Sequence, residues 1–106
     1  MNQRPAKPKI SDATLDSLRV PPHSIEAEQS VLGCLLLDNQ AWDRIGDQVT
    51  DTDFYRDEHR RIFRQIRNLL EKAKPADVVT VAEALDAAGE GEQTGGLAYL
   101  GELAAN

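Results

Sequence analysis

The stretch Arg56-Asp57-Glu58-His59-Arg60-Arg61-Ile62-Phe63-Arg64-Gln65-Ile66-Arg67-Asn68-Leu69-Leu70-Glu71-Lys72 decides the fold. Its apolar residues Ile62, Phe63, Ile66, Leu69 and Leu70 recur at the spacing of a helix half sunk in a core. Asp57 stands four residues before Arg61, an ion pair in the favourable orientation for a helix. Lys72-Ala73-Lys74-Pro75 ends the helix. Arg56, Arg60, Arg64 and Arg67 step along it by four, four and three, forming a cationic stripe. That stripe has two readings. It is a solvated face paired with nearby acids, or it is a contact for an acidic protein surface such as the C-terminal third of a second copy.

Working toward the N-terminus, Ser24 is placed to cap a helix whose first turn holds Glu26 and Glu28, where the helix dipole favours anions. Ile25, Val31, Leu32, Leu35 and Leu36 give it one buried stripe. Gly33 is costly inside a helix, by about 1 kcal/mol against Ala. Next to Cys34 it forms a small-residue patch, which implies that another backbone passes close by. The helix ends near Asp38-Asn39, and Asn39 is placed to cap a shorter helix carrying Ala41, Trp42, Ile45 and Val49. Thr50 to Asp53 reads as a turn, anchored by Phe54-Tyr55.

Toward the C-terminus, Thr80-Val81-Ala82-Glu83 has the pattern of a capping box opening a fourth helix through Leu85 to Ala88, with Asp77-Val78-Val79 extended before it. Gly89 ends that helix, and Glu90 to Thr94 reads as a solvated loop. Gly95-Gly96 then opens a short helix with Leu97, Leu100 and Leu103 on one face and Tyr99 beside it. The expected fold is all-α, a compact orthogonal bundle of about five or six short helices. Residues 1–20 read as a flexible arm, because Pro5 and Pro8 bias their predecessors away from helix and nothing supports more than a transient turn over 12–18. Pro21-Pro22 marks the start of the folded head, residues 21–106.

The chain's 106 residues suffice for one modest core, and a large catalytic fold needs more. Its net charge of −6 is uneven. Residues 1–20 carry four cations against two acids, residues 21–106 carry 8 against 16, and no Lys or Arg follows Lys74. Such a body repels phosphates, which disfavours DNA as its main partner and favours a protein. Trp42, Phe54, Tyr55, Phe63 and Tyr99 are too few to form a stacking platform for single strands. No apolar run approaches a membrane span, no secretory signal opens the chain, and a single cysteine excludes an internal disulfide framework. A cytoplasmic location fits.

No catalytic, cofactor or metal site emerges. His23 and His59 lack partners at metal-ligand spacing, and His59 beside Glu58 fits a structural hydrogen bond. Gly95-Gly96 lacks the Gly-Lys-Ser/Thr of a phosphate loop. Cys34, on an apolar helix face, fits as a small core filler.

The run Val20-Pro21-Pro22-His23-Ser24-Ile25-Glu26-Ala27-Glu28-Gln29-Ser30-Val31-Leu32-Gly33 resembles the opening of the bacterial DnaB-type replicative DNA helicases. The likeness continues through Leu36-Leu37-Asp38-Asn39, Trp42, Asp53-Phe54-Tyr55, His59-Arg60 and Ile62-Phe63. It resumes at Pro75, Asp77 and Thr80, then at Gly95-Gly96, Ala98-Tyr99-Leu100 and Glu102-Leu103. One departure is Cys34, where the family usually has a second glycine. The resemblance implies the head of the N-terminal domain of a homohexameric helicase that uses ATP to unwind DNA at the replication fork. It implies a role in ring assembly and in engaging primase, with other subunits, primase and the helicase loader as partners and no membrane. ATP, Mg²⁺ and DNA would bind through a motor domain that this chain does not contain. The helical hairpin that pairs subunits is expected to begin about where this chain stops. The alternative is a small helical DNA-binding regulatory domain, which the acidic balance opposes.

Overall fold

A computed structural model describes residues 10–18 and 24–105. Among the described residues the regular structure is entirely helical. Seven α-helical segments follow one another: α1 (Asp12–Ser17), α2 (Ile25–Leu37), α3 (Trp42–Ile45), α4 (Asp57–Glu71), α5 (Val78–Ala87), α6 (Gly91–Thr94) and α7 (Gly96–Ala105). Single 3-10 turns at Asn39–Ala41 and Asp51–Asp53 lie on either side of α3. The expected all-α bundle is what forms.

The two long helices sit where the apolar periodicity places them. Ser24 Oγ accepts the Ala27 amide proton at 3.0 Å and starts α2, whose Val31, Leu32 and Leu35 are fully buried. Helix α4 buries Ile62, Phe63 and Ile66 completely. Phe63 packs against Trp42 and Phe54, with ring centroids 5.7 and 5.0 Å away. Helix α7 lies across α2 and α5 and contributes Leu100 and Leu103 to the same core.

Helices α2 and α7 approach closely at Gly33 and Leu103. A Cβ on Gly33 would stand 2.3 Å from the Leu103 carbonyl oxygen, so only glycine lets the two backbones approach this far. Gln29 meets Tyr99 and Gly33 meets Leu103, so α2 and α7 run in the same direction. The close approach read from Gly33-Cys34 is present, and Gly33 is the residue that permits it. Cys34 is buried beside it as filler.

Several local readings change. The arm expected over 1–20 contains α1, started by Ser11 Oγ accepting the Thr14 amide proton, with Ile10, Leu15 and Leu18 buried. Three well-spaced apolar residues suffice to seat it on α2. The remainder of that arm, with the Pro21-Pro22 boundary and His23, lies outside the described residues. Asp38, not Asn39, caps the turn before α3 by accepting the Gln40 amide proton. Asn39 is diverted to Ala76, accepting its amide proton and donating to its carbonyl while also donating to Leu35 O. Phe54 anchors its turn, but Tyr55 is exposed.

Helix α5 begins one turn earlier than expected. Asp77 Oδ1 accepts from the Thr80 amide and Thr80 Oγ1 accepts from the Asp77 amide, so Asp77 is the cap and Val78-Val79 are helical. The segment read as a solvated loop over 90–94 folds into α6, where the buried Thr94 hydroxyl donates to Glu90 O. Leu97 points outward at 57% exposure.

Candidate functional site

The side chains with the most chemical potential meet where α2, α4 and α7 converge. Glu28 lies three and four residues before Val31 and Leu32, so α2 carries it into the buried stripe. His59 stands in the same relation to Ile62 and Phe63 on α4. Both are buried, His59 completely. His59 Nδ1 lies 2.7 Å from Glu28 Oε1, and its Nε2 lies 2.6 Å from the Tyr99 hydroxyl on α7. Gln29 Nε2 donates to that same hydroxyl at 3.2 Å. Glu28 also accepts backbone amide protons from Tyr55 at 2.7 Å and Arg56 at 3.3 Å, at the entry to α4.

These contacts link end to end: Gln29 donates to the Tyr99 hydroxyl, that hydroxyl shares a hydrogen bond with His59 Nε2, and His59 Nδ1 shares one with the Glu28 carboxyl. Hydroxyl, imidazole and carboxylate stand in the order of a nucleophilic triad. The surroundings remove that use. Both imidazole nitrogens are engaged, the ring has no exposed surface, and the hydroxyl is a phenol already accepting from Gln29. The arrangement clamps three helices together. Among the described residues no buried side-chain nitrogen or oxygen lacks a hydrogen-bond partner.

Glu28 and Tyr99 escaped the sequence reading, which set His59 beside Glu58. The signal was present in the helical periodicity. A carboxylate and an imidazole each fell within an apolar stripe, and burial there requires a partner.

The four arginines of the stripe each meet an acid of this chain. Arg56 pairs with Glu58 at 3.1 Å and Arg60 with Asp57 at 3.6 Å. Arg64 and Arg67 both reach Asp51, at 2.8 and 3.7 Å. The hydrogen bond from Arg64 holds the Asp51 carboxyl below the usual carboxylate range. Arg60 also donates to the carbonyls of Phe54 and Tyr55, fixing the turn into α4. The expected Asp57–Arg61 pair forms at 2.7 Å, and Arg61 continues to Glu90 before α6. Hydrogen bonding to these two carboxylates raises the Arg61 pKa.

Gly95 and Gly96 both have positive φ and start α7. The cleft at Gly95 is lined by Glu58, Glu102 and Tyr99, and carboxylates there oppose a bound phosphate. Among the described residues no group of His, Cys, Asp and Glu has the makings of a metal site, and no helix is long and apolar enough to cross a membrane. Burial raises the Cys34 thiol pKa, which suits a packing role.

Comparison with known proteins gives one consistent answer. The model of the DnaB-like helicase N terminal domain matches residues 20–106. The replicative DNA helicase DnaB of Buchnera aphidicola subsp. Acyrthosiphon pisum is 44% identical over 101 residues, covering 95% of this chain and 22% of that protein. The Haemophilus influenzae replicative DNA helicase DnaB is 44% identical over 98 residues, covering 92% of this chain and 21% of that protein. The crystal structure of the N-terminal domain of DnaB helicase from Mycobacterium tuberculosis superposes with a TM-score of 0.78 at 40% identity, covering 81% of this chain and 60% of that one. The chain thus spans about a fifth of the length of the curated relatives it matches.

Proposed function

Because the chain belongs to the DnaB-like helicase N-terminal domain family, we propose that it is the assembly and docking head of a hexameric, ATP-dependent replicative helicase. On this reading its partners are the other subunits of the ring, primase and the helicase loader. ATP, Mg²⁺ and DNA belong to a motor domain elsewhere in the parent protein, which acts in the cytoplasm, and this chain itself hydrolyses no ATP. The observation that carries the reading is the sealed Glu28–His59–Tyr99 clamp. The one carboxylate–imidazole–hydroxyl arrangement among the described residues joins helices instead of facing a cleft, so the head's use lies in its shape and surface.

Among the described residues the large exposed apolar side chains are Leu37 on α2, Tyr55 in the turn before α4, Val79 on α5 and Leu97 on α7. That scatter favours contacts within a larger assembly over a tight dimer of the head, since stable association usually requires roughly 1,200–2,000 Å² with an apolar centre. The test removes residues 1–106 from the parent helicase. ATP hydrolysis by the motor should persist, while primase binding and uniform rings are lost. Unchanged primase affinity and unchanged rings would refute the reading.

A further inference from the structure

Charge is balanced along the first half of α4 and unbalanced along the second. Arg56, Arg60 and Arg61 meet three carboxylates, those of Glu58, Asp57 and Glu90. Arg60 and Arg61 also spend guanidinium protons on hydrogen bonds, Arg60 on the Phe54 and Tyr55 carbonyls and Arg61 on its two acids. Arg64 and Arg67 share Asp51 alone. Arg64 donates to it through Nε, which leaves both terminal nitrogens of the fork without a hydrogen bond among the described residues. Arg67 Nη1 stands 3.7 Å from the same carboxylate, beyond hydrogen-bond reach. Past the helix, Lys72 and Lys74 are exposed and form no ion pair among the described residues. The turn that carries them is fixed, because the Ala73 amide donates to Leu70 O and the Lys74 amide to Leu69 O.

Arg64, Arg67, Lys72 and Lys74 thus outnumber the acids within and beside their segment, Glu71, Asp51 and Asp53, in a body that carries 8 cations against 16 acids over residues 21–106. At about 1.5 Å per residue, the two arginines and the two lysines lie roughly 10 Å apart along α4, which about three residues of an extended chain span. We propose that these four residues form a docking surface for an acidic segment of a partner protein. Guanidinium forks bind carboxylates bidentately, and the terminal nitrogens of Arg64 supply such a fork. Asp51 holds that fork in place, which lowers the entropy lost on binding. The lysines serve as point charges for carboxylates further along the segment. A long polyanion such as DNA fits less well, because the acidic remainder of the body repels it. The inference rests on the reading of this chain as a docking head, and it names the chemistry of one of its faces.

Hexaglutamate is the probe, titrated into the full chain at low ionic strength and followed by the NMR signals of backbone amides and arginine Nε groups. Shifts should concentrate on residues 64–74 and the Asp51 turn. Arg67→Gln with Lys72→Gln should weaken binding at least tenfold, and glutamine keeps the helix propensity of both positions. Arg44→Gln with Arg56→Gln removes the same charge elsewhere and should change the affinity less than threefold. Oligothymidylate of equal charge should bind more weakly than hexaglutamate. Equal losses for the two double variants would reduce the effect to net charge and overturn the surface. Shifts spread over the whole of α4 would overturn it too, and tighter binding of oligothymidylate would assign the patch to nucleic acid instead. A head that docks partners through another face would still lose primase binding on deletion from the parent helicase, so failure of this surface is distinct from failure of the docking-head reading.

Discussion

Two glycines inside helices, Gly33 in α2 and Gly101 in α7, should answer the same substitution with opposite signs. Replacing an interior helical Gly by Ala gains about 1 kcal/mol in helix propensity. At Gly101 a Cβ would meet nothing within 4 Å, so Gly101→Ala should keep most of that gain. At Gly33 the Cβ would lie 2.3 Å from the Leu103 carbonyl oxygen, and ordinary contact begins near 3.4 Å. Helix α7 must therefore withdraw locally by about 1 Å, a gap that forfeits a quarter to a half of the dispersion attraction across it. Leu100 and Leu103 both lose packing, and the Tyr99 hydroxyl is drawn away from His59 Nε2, 2.6 Å distant. Overpacking costs roughly 1–3 kcal/mol, and a clash between two backbones belongs near the top of that range. Set against the propensity gain, Gly33→Ala should lose about 1–2 kcal/mol. In thermal unfolding that is a fall of roughly 5–15 °C, with a rise of a few degrees for Gly101→Ala. A Gly33→Ala protein melting at or above the wild-type temperature would refute the close approach of α2 and α7.

Ala73 follows α4 with φ +59, its amide donating to Leu70 O and that of Lys74 to Leu69 O, so Ala73→Gly should raise stability by about 0.5–1 kcal/mol in urea titration. Tyr99→Phe strips the clamp of its hydroxyl and should cost about 1–3 kcal/mol. Glu28→Leu strands His59 and two backbone amides and should cost about 3–5 kcal/mol; equal losses for the two would show that the clamp is not anchored on Glu28. The depressed Asp51 pKa contributes stability that is fully present above the unfolded value of about 3.9 and is lost as pH falls through the lower folded value. Asp51→Asn should therefore melt below wild type at pH 7, and the gap should shrink as pH falls below the unfolded value. A melting gap that stays constant with pH would refute this. Reversing Arg60 and Arg64 to Glu in the parent helicase should weaken primase binding or ring assembly if the stripe is a contact surface, and unaltered binding would assign it to its own acids.

Periodicity made α2, α4 and α7 legible, because Leu32, Ile66 and Leu100 follow their helices at spacings that only one secondary structure satisfies. It failed where short-range signals compete. Asp77 and Thr80 are both good caps three residues apart, and the structure uses them reciprocally instead of choosing the second. Asn39 looks like a cap until Ala76, 37 residues later, claims its amide. Glu28, His59 and Tyr99 could not be assembled from spacing, since their meeting depends on how α2, α4 and α7 cross. The stripes did show which side each would face.

The parallel pairing of α2 with α7 joins residues 70 positions apart, as Gln29 and Tyr99 are. That separation sets a schedule for folding during synthesis. At about 5–20 residues per second, the ribosome makes the α7 half of the contact roughly 4–14 s after the α2 half. Helix α4 arrives sooner, so Glu28 can meet His59, 31 residues on, while Gly33 still faces an empty groove. Until α7 is made, the face of α2 that carries Gln29 and Gly33 lacks the partner it has in the finished head.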